Sequence, residues 1–160
     1  MLVALSTAMF PVSSQSETQL KAFELADQSN RSRSYAFPRD KVTVMTVADY
    51  RGSAQLTPWI QRLHDRYGDQ IAIDGIADVS MIPKPFQALF RREFRKRLRY
   101  PVMLDWEGAV LEQFDYEKGV ANVYVVDRRG AIRMRIAGAV SDGAIRRLFQ
   151  EIDRNLKRAQ

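Results

Sequence analysis

KVTVMTVADYRGSAQLTPW, residues 41–59, is the stretch whose reading decides the fold. Val42, Val44 and Val47, with Met45 and two threonines between them, form a mostly apolar, β-prone run of the kind buried on both faces of a parallel sheet. Asp49 to Gly52 breaks the run. Leu56, Trp59, Ile60, Leu63 and Tyr67 then recur at helical spacing until Gly68 supplies a stop. Pro58 falls inside that helix and is expected to kink it. The stretch therefore predicts a central strand, a short polar turn and a helix.

Working outward, Phe23 to Ala26 reads as a short strand, DQSNRSRS supplies turn formers, and Tyr35 to Phe37 completes a hairpin leading into Lys41. Beyond the helix, Ile71 to Val79 predicts a second strand of the main sheet, with Gly75 marking a bulge or a close approach. MIPKP starts another helix. Its Phe86, Phe90, Phe94 and Leu98 are four apart, with Leu89 beside them, the spacing of a core-facing stripe. Pro101 ends that helix, Val102 to Leu104 reads as a strand and Trp106 to Phe114 as a short helix. Val123 to Val126 and Ala131 to Ile136 form a hairpin about Asp127–Gly130. Ile145, Leu148, Phe149, Ile152 and Leu156 make the closing amphipathic helix. This order calls for an α/β fold, a central mixed sheet with helices on both faces.

Composition sets the outer bounds. A chain of 160 residues with 46% hydrophobic residues suits one domain with a real core. Residues 21–160 read as that domain. Residues 1–20 form an N-terminal apolar segment with the look of a truncated export signal, although no basic residue precedes Leu2. As a signal remnant it implies a periplasmic or secreted protein, otherwise a cytoplasmic one. The run falls short of the roughly 20 apolar residues that span a bilayer, and no transmembrane segment is expected. Zero cysteines exclude disulfides, thiolate nucleophiles, iron–sulfur clusters and cysteine-ligated zinc. The single histidine, His64, excludes a multi-histidine metal site within one chain. No cofactor and no metal are expected.

Three segments carry a family resemblance. VTVMTVADYRGSAQLTPW resembles a strand, a W-A-x-W-C-x-x-C turn and a proline-kinked helix. IAIDGIADVS resembles the strand that follows, and GVANVYVVDRRGAIRMRIAG resembles a G-V-P-x-x-F-L-I-D-x-x-G-x-I hairpin. From Phe23 to Leu156 the chain resembles the redoxin branch of the thioredoxin superfamily, the alkyl hydroperoxide reductases and thiol-specific antioxidants included. That resemblance implies a thioredoxin-like three-layer α/β/α fold around a central mixed β-sheet.

It does not carry the family's chemistry with it. If Ala48 is the family's alanine, Arg51 and Ala54 replace the two cysteines; if Pro58 is the kink proline, Tyr50 and Ser53 replace them. Either way the turn Tyr50, Arg51, Gly52, Ser53 and Ala54 is a vacated redox turn. In the P-x-x-x-T-x-x-C pattern of peroxiredoxins, Val47, Arg51 and Ala54 all mismatch. Ala121 stands at the position of the family's cis proline, and its preceding peptide is expected to be trans, since a non-proline cis bond costs about 2.5–4 kcal/mol.

No residue replaces the thiol. Ser53 reads as a helix N-cap, and its hydroxyl lies about 16 Å along the helix from His64, too far for direct activation. Asp49 is placed to neutralise Arg51. The amides at Gly52 to Ala54 are less an anion site than an ordinary capped helix. Asp74, Asp78 and Asp105 have no cation-loop spacing and read as structural.

Charge supplies the remaining signal. The formal net charge is +6, and Arg91, Arg92, Arg95, Lys96, Arg97 and Arg99 crowd one helix. Its phenylalanines read as packing, leaving Arg91, Arg92, Arg95, Lys96 and Arg99 as a candidate docking face for an acidic protein partner or an anionic surface. Glu93, Asp105 and Glu107 are near enough in sequence to pair with some of it. The favoured function is a redox-inactive, thioredoxin-like binding or adaptor protein, a pseudoenzyme. The alternatives are an antioxidant-class redoxin acting without a thiol and, more weakly, anionic-ligand or nucleic-acid binding through the basic helix.

Overall fold

The computed structural model describes residues 18–158; the apolar segment before Thr18 lies outside them. The strands are β1 (Phe23–Ala26), β2 (Ser32–Tyr35), β3 (Thr43–Ala48), β4 (Ala72–Asp78), β5 (Met103–Asp105), β6 (Asn122–Val126) and β7 (Ile132–Ala137). The helices are α1 (Tyr50–Ser53), α2 (Leu56–Tyr67), α3 (Gln87–Arg97) and α4 (Asp142–Arg158). The main sheet has five strands in the order β5-β4-β3-β6-β7, and β1 and β2 form a separate antiparallel pair. β3 runs parallel to β4 and antiparallel to β6, so the sheet is mixed, as expected.

All six residues of β3 are buried, because strands flank it on both edges and layers cover both faces. On one face Val44, Val123 and Val125 pack with Trp59, Leu63 and Tyr67 of α2 and with Ile145, Leu148 and Ile152 of α4. On the other, Met45, Val47, Tyr124 and Val126 pack with Tyr35 of the β1–β2 hairpin and with Leu111 and Phe114. That second layer is built from a hairpin and a 3₁₀ turn at Leu111–Gln113, where a short helix over 106–114 was expected. Asp105 explains the difference. Its buried carboxylate accepts hydrogen bonds from the amides of Gly108, Val110 and Leu111, folding the chain into a tight capped turn.

Pro58 acts one turn earlier than expected. The predicted single kinked helix is two helices, with Ala54 and Gln55 outside both. Proline lacks the N–H that would bond the carbonyl four residues back, and its ring crowds that carbonyl, here Ala54. In the first turn of α2 the missing donor costs nothing. Gly68 ends α2 as expected, with a φ of 48° that favours glycine. Gly75 holds normal parallel register opposite Thr46, so it marks close approach: a Cβ there would lie 3.1 Å from the Thr46 hydroxyl.

The basic helix departs furthest from expectation. α3 contributes no buried residue; Phe86, Leu89 and Phe90 are exposed and Phe94 and Leu98 half-buried, so the row is not a core-facing stripe along its length. Among the described residues, no helix is long and apolar enough to cross a membrane.

Trp59 joins α2 to the sheet through burial and through its indole N–H, which donates to Gly138 O at 3.0 Å. Trp59→Ala is expected to destabilise the fold by about 3–5 kcal/mol, measurable as a lowered urea midpoint; a loss under about 1 kcal/mol would mean the core closes over the gap.

Candidate functional site

The vacated turn sits at the end of β3, where the chain leaves the sheet as α1. Tyr50, Arg51, Ser53 and Ala54 are exposed and Gly52 is buried. Both candidate pairs, Arg51 with Ala54 and Tyr50 with Ser53, therefore face solvent. Asp49, not Ser53, is the N-cap: Asp49 Oδ1 accepts from the Gly52 amide at 2.8 Å. Ser53 Oγ instead donates to Tyr50 O. Asp49 is thus turned inward and does not serve to neutralise Arg51. Its second oxygen accepts from the amide of Gly119 at 2.8 Å, tying the turn to the loop that precedes β6.

That loop carries Ala121. Among the described residues the cis peptide bond is Phe37–Pro38, so the Val120–Ala121 peptide is trans, as expected. Ala121 is fully buried. Unlike proline it has an N–H, which must find an acceptor once buried. Gln55, freed by the break between α1 and α2, supplies it: Ala121 N donates to Gln55 Oε1 at 3.1 Å. Ala121 O accepts from Gly138 N at 2.7 Å, so both backbone groups are satisfied internally. Asn122 braces the same loop, accepting from Glu117 N and donating to Glu117 O and Val120 O.

Between turn and loop the surfaces are in contact. A Cβ built on Gly52 would lie 2.2 Å from Val120 O and 2.4 Å from Val120 C, so only glycine fits. Turn and loop are thus packed against each other, with the hydrogen bonds between them supplied by Asp49 and Gln55. The amides at Gly52 to Ala54 are not an anion site.

Next to the turn, Tyr116 donates to Asp78, whose carboxylate also accepts from the Ser80 hydroxyl and amide. Burial pushes the Tyr116 phenol up, and the Asp78 carboxylate adds to the shift. Burial would raise Asp78 too, but the hydrogen bonds from Ser80 and Tyr116 outweigh it and hold the carboxyl below its usual range. Asp74 is likewise committed, to Tyr35 and to Arg39 at 3.8 Å. Asp74, Asp78 and Asp105 each have partners of their own, although Asp78 and Asp105 are paired across β4 and β5, and no acidic or histidine cluster among the described residues is arranged to hold a metal ion. His64 is exposed on α2.

The second candidate, the cationic face, is on α3. Arg91 is half-buried, its guanidinium over the Trp106 ring at 5.5 Å from the centroid, so it anchors the helix to the body. Arg92, Arg95, Lys96, Arg97 and Arg99 are exposed. Glu93 pairs with Lys96 at 3.1 Å and with Arg92 at 3.9 Å, contacts of small worth at an exposed site. Asp105, expected to help, is spent on backbone amides. Arg95 and Arg99 have no ion-pair partner among the described residues.

Comparison with known structures puts this geometry in context. A surface-exposed lipoprotein thioredoxin of Streptococcus pneumoniae superposes with a TM-score of 0.65 at 18% identity, covering 82% of this chain and 99% of its own. This chain has a thioredoxin-like fold. A thiol:disulfide interchange protein of Chlorobium tepidum gives a TM-score of 0.64 at 14% identity over 88% of this chain and 96% of its own. A peroxidoxin of Mycobacterium tuberculosis gives 0.60 at 19% identity over 86% and 95%. No protein-family model and no curated protein sequence matches the chain. The thioredoxin-like fold is shared with these structures, and cysteine is absent throughout this sequence.

Sequence reading missed the roles of Gln55 and Asn122. Asp49 carried a usable signal, an aspartate directly before a helix start; Gln55 carried none.

Two measurements test the site. Gly52→Ala is expected to cost about 1–3 kcal/mol through overpacking against Val120, while Gly143→Ala in α4, where a Cβ meets nothing within 4 Å, gains up to about 1 kcal/mol. Equal effects would refute the close contact. The second is pH. Asp27, Asp78 and Asp127 all titrate below their ordinary value of 3.8, because hydrogen bonds and, for Asp27 and Asp127, arginine partners outweigh burial. Depressed folded values mean stability that is full above the unfolded value and lost as pH falls through the folded ones. Urea titrations should show stability level near neutrality and declining below about pH 4, with a shallower acid limb in Asp127→Asn; an unchanged limb would remove Asp127 from the account.

Proposed function

We propose that this chain is a redox-inactive thioredoxin-like binding protein, a scaffold that has kept the sheet and helices of its fold and uses the cationic face of α3 to hold an anionic partner. The observation that carries the reading is the closed contact between Gly52 and Val120, fixed by Asp49 and Gln55, in a chain without cysteine. Thiol–disulfide exchange needs a thiolate, and this sequence contains no cysteine.

Charge favours α3 as the working surface. Arg92, Arg95, Lys96 and Arg99 are exposed and largely uncompensated on a chain with a formal net charge of +6. Such a face raises encounter rates with anionic partners and loses strength as salt rises. Sequence-specific nucleic-acid reading is not favoured, since no recognition motif accompanies the charge.

The purified protein is expected to reduce neither insulin disulfides nor peroxides above a no-protein control, with thiol reductant supplied in both assays. A protein-dependent rate that survives repeated purification would overturn the proposal.

A further inference from the structure

We infer that α3 is an interfacial helix and that its occupant is the surface of an anionic lipid bilayer. The inference rests on reading α3 as the binding face and goes beyond it by naming the partner's chemistry.

Three observations carry it. First, the segment between β4 and β5 spends apolar residues that folding does not use: Met81 is 84% exposed, Phe86 54%, Leu89 48% and Phe90 38%, while α3 buries no residue. Solitary exposed apolar residues are ordinary, but several gathered along one helix mark an interaction site. Second, cations flank the apolar residues around the axis. At roughly 100° per residue, Arg92, Lys96 and Arg95 fill an arc beside Leu89, while Glu93 and Arg97 fall between Leu89 and Phe90, and Arg99 follows the end of the helix. Phe94 and Arg91 turn toward the body, where Arg91 meets Trp106. A helix lying in a headgroup layer uses both kinds of side chain: rings in the acyl boundary, and long cationic side chains, Arg97 among them, reaching up to phosphates.

Third, the exposed face offers apolar side chains that project into solvent. A protein partner would have to bring a groove shaped to Phe86, Leu89 and Phe90, whereas a bilayer accommodates projecting rings without prior shape. The opposite charge of an anionic leaflet complements a segment with six cations between Arg91 and Arg99 and one acid, Glu93.

The test is co-sedimentation with vesicles of phosphatidylcholine alone and of phosphatidylcholine mixed with phosphatidylglycerol, using wild type, a charge variant (Arg92→Glu, Arg95→Glu, Arg99→Glu) and an apolar variant (Phe86→Ser, Leu89→Ser, Phe90→Ser). Circular dichroism is expected to leave both variants folded, because none of the altered side chains is buried. Wild type is expected to bind the anionic vesicles and not the neutral ones. The charge variant should lose about a hundredfold in affinity or more, at about tenfold or less per cation, and the apolar variant at least about tenfold. Vesicle binding that the apolar variant retains in full would overturn insertion. Soluble polyglutamate is run in parallel. If wild type binds it, the charge variant does not, and anionic vesicles bind neither, the bilayer is refuted and an acidic protein takes its place on the same face. If wild type binds neither vesicles nor polyglutamate at low salt, α3 is not a binding face at all.

Discussion

A strand with no exposed side sets the terms for this molecule. β3 is hydrogen-bonded along both edges and buried along both faces, so each side of it has to be covered by something. The chain answers with α2 and α4 against one face and with the β1–β2 hairpin and the Leu111–Phe114 turn against the other. The consequence for the site is direct. Trp59 can reach the core only if the chain reverses promptly after Ala48, and that reversal is the turn from Asp49 to Ala54. The packing of the core and the position of the turn from Asp49 to Ala54 are one constraint.

At the turn, small residues and short-range hydrogen bonds hold the helix start against the loop before β6. Glycine at 52 permits the approach to Val120; alanine at 121 brings an N–H that proline would not have; glutamine at 55 satisfies it; aspartate at 49 bonds to both sides. None of these is unusual alone. Together they make a packed joint, and α3, which lies outside the core, is the part of the fold whose composition folding does not explain.

Much of this was legible in the sequence. The central strand, the order of elements and the β6–β7 hairpin follow from apolar runs and turn formers, since those patterns record burial directly. The features that escaped are ones where a local pattern has two physical solutions. A proline after a turn either kinks a helix or starts a new one, and the choice fell to the break at Ala54 and Gln55. A phenylalanine every fourth residue marks a helical face but not what lies against it, so Phe86 and Phe90 read as core when they are exposed. Ser53 was a plausible cap, yet Asp49 could accept from two amides at once. The bond from Ala121 to Gln55 joins positions 66 apart, and no periodicity encodes such a pair.

The joint between Gly52 and Val120 bears on how far either side can change alone. Proline at 121 would strand the Gln55 carbonyl; a larger residue at 52 would collide with a backbone that Asn122 and Asp49 hold in place. Each such change, taken singly, removes a hydrogen bond or forces two backbones apart. The turn after β3 and the loop before β6 therefore act as a mechanical latch, in which substitutions on one side are coupled to those on the other.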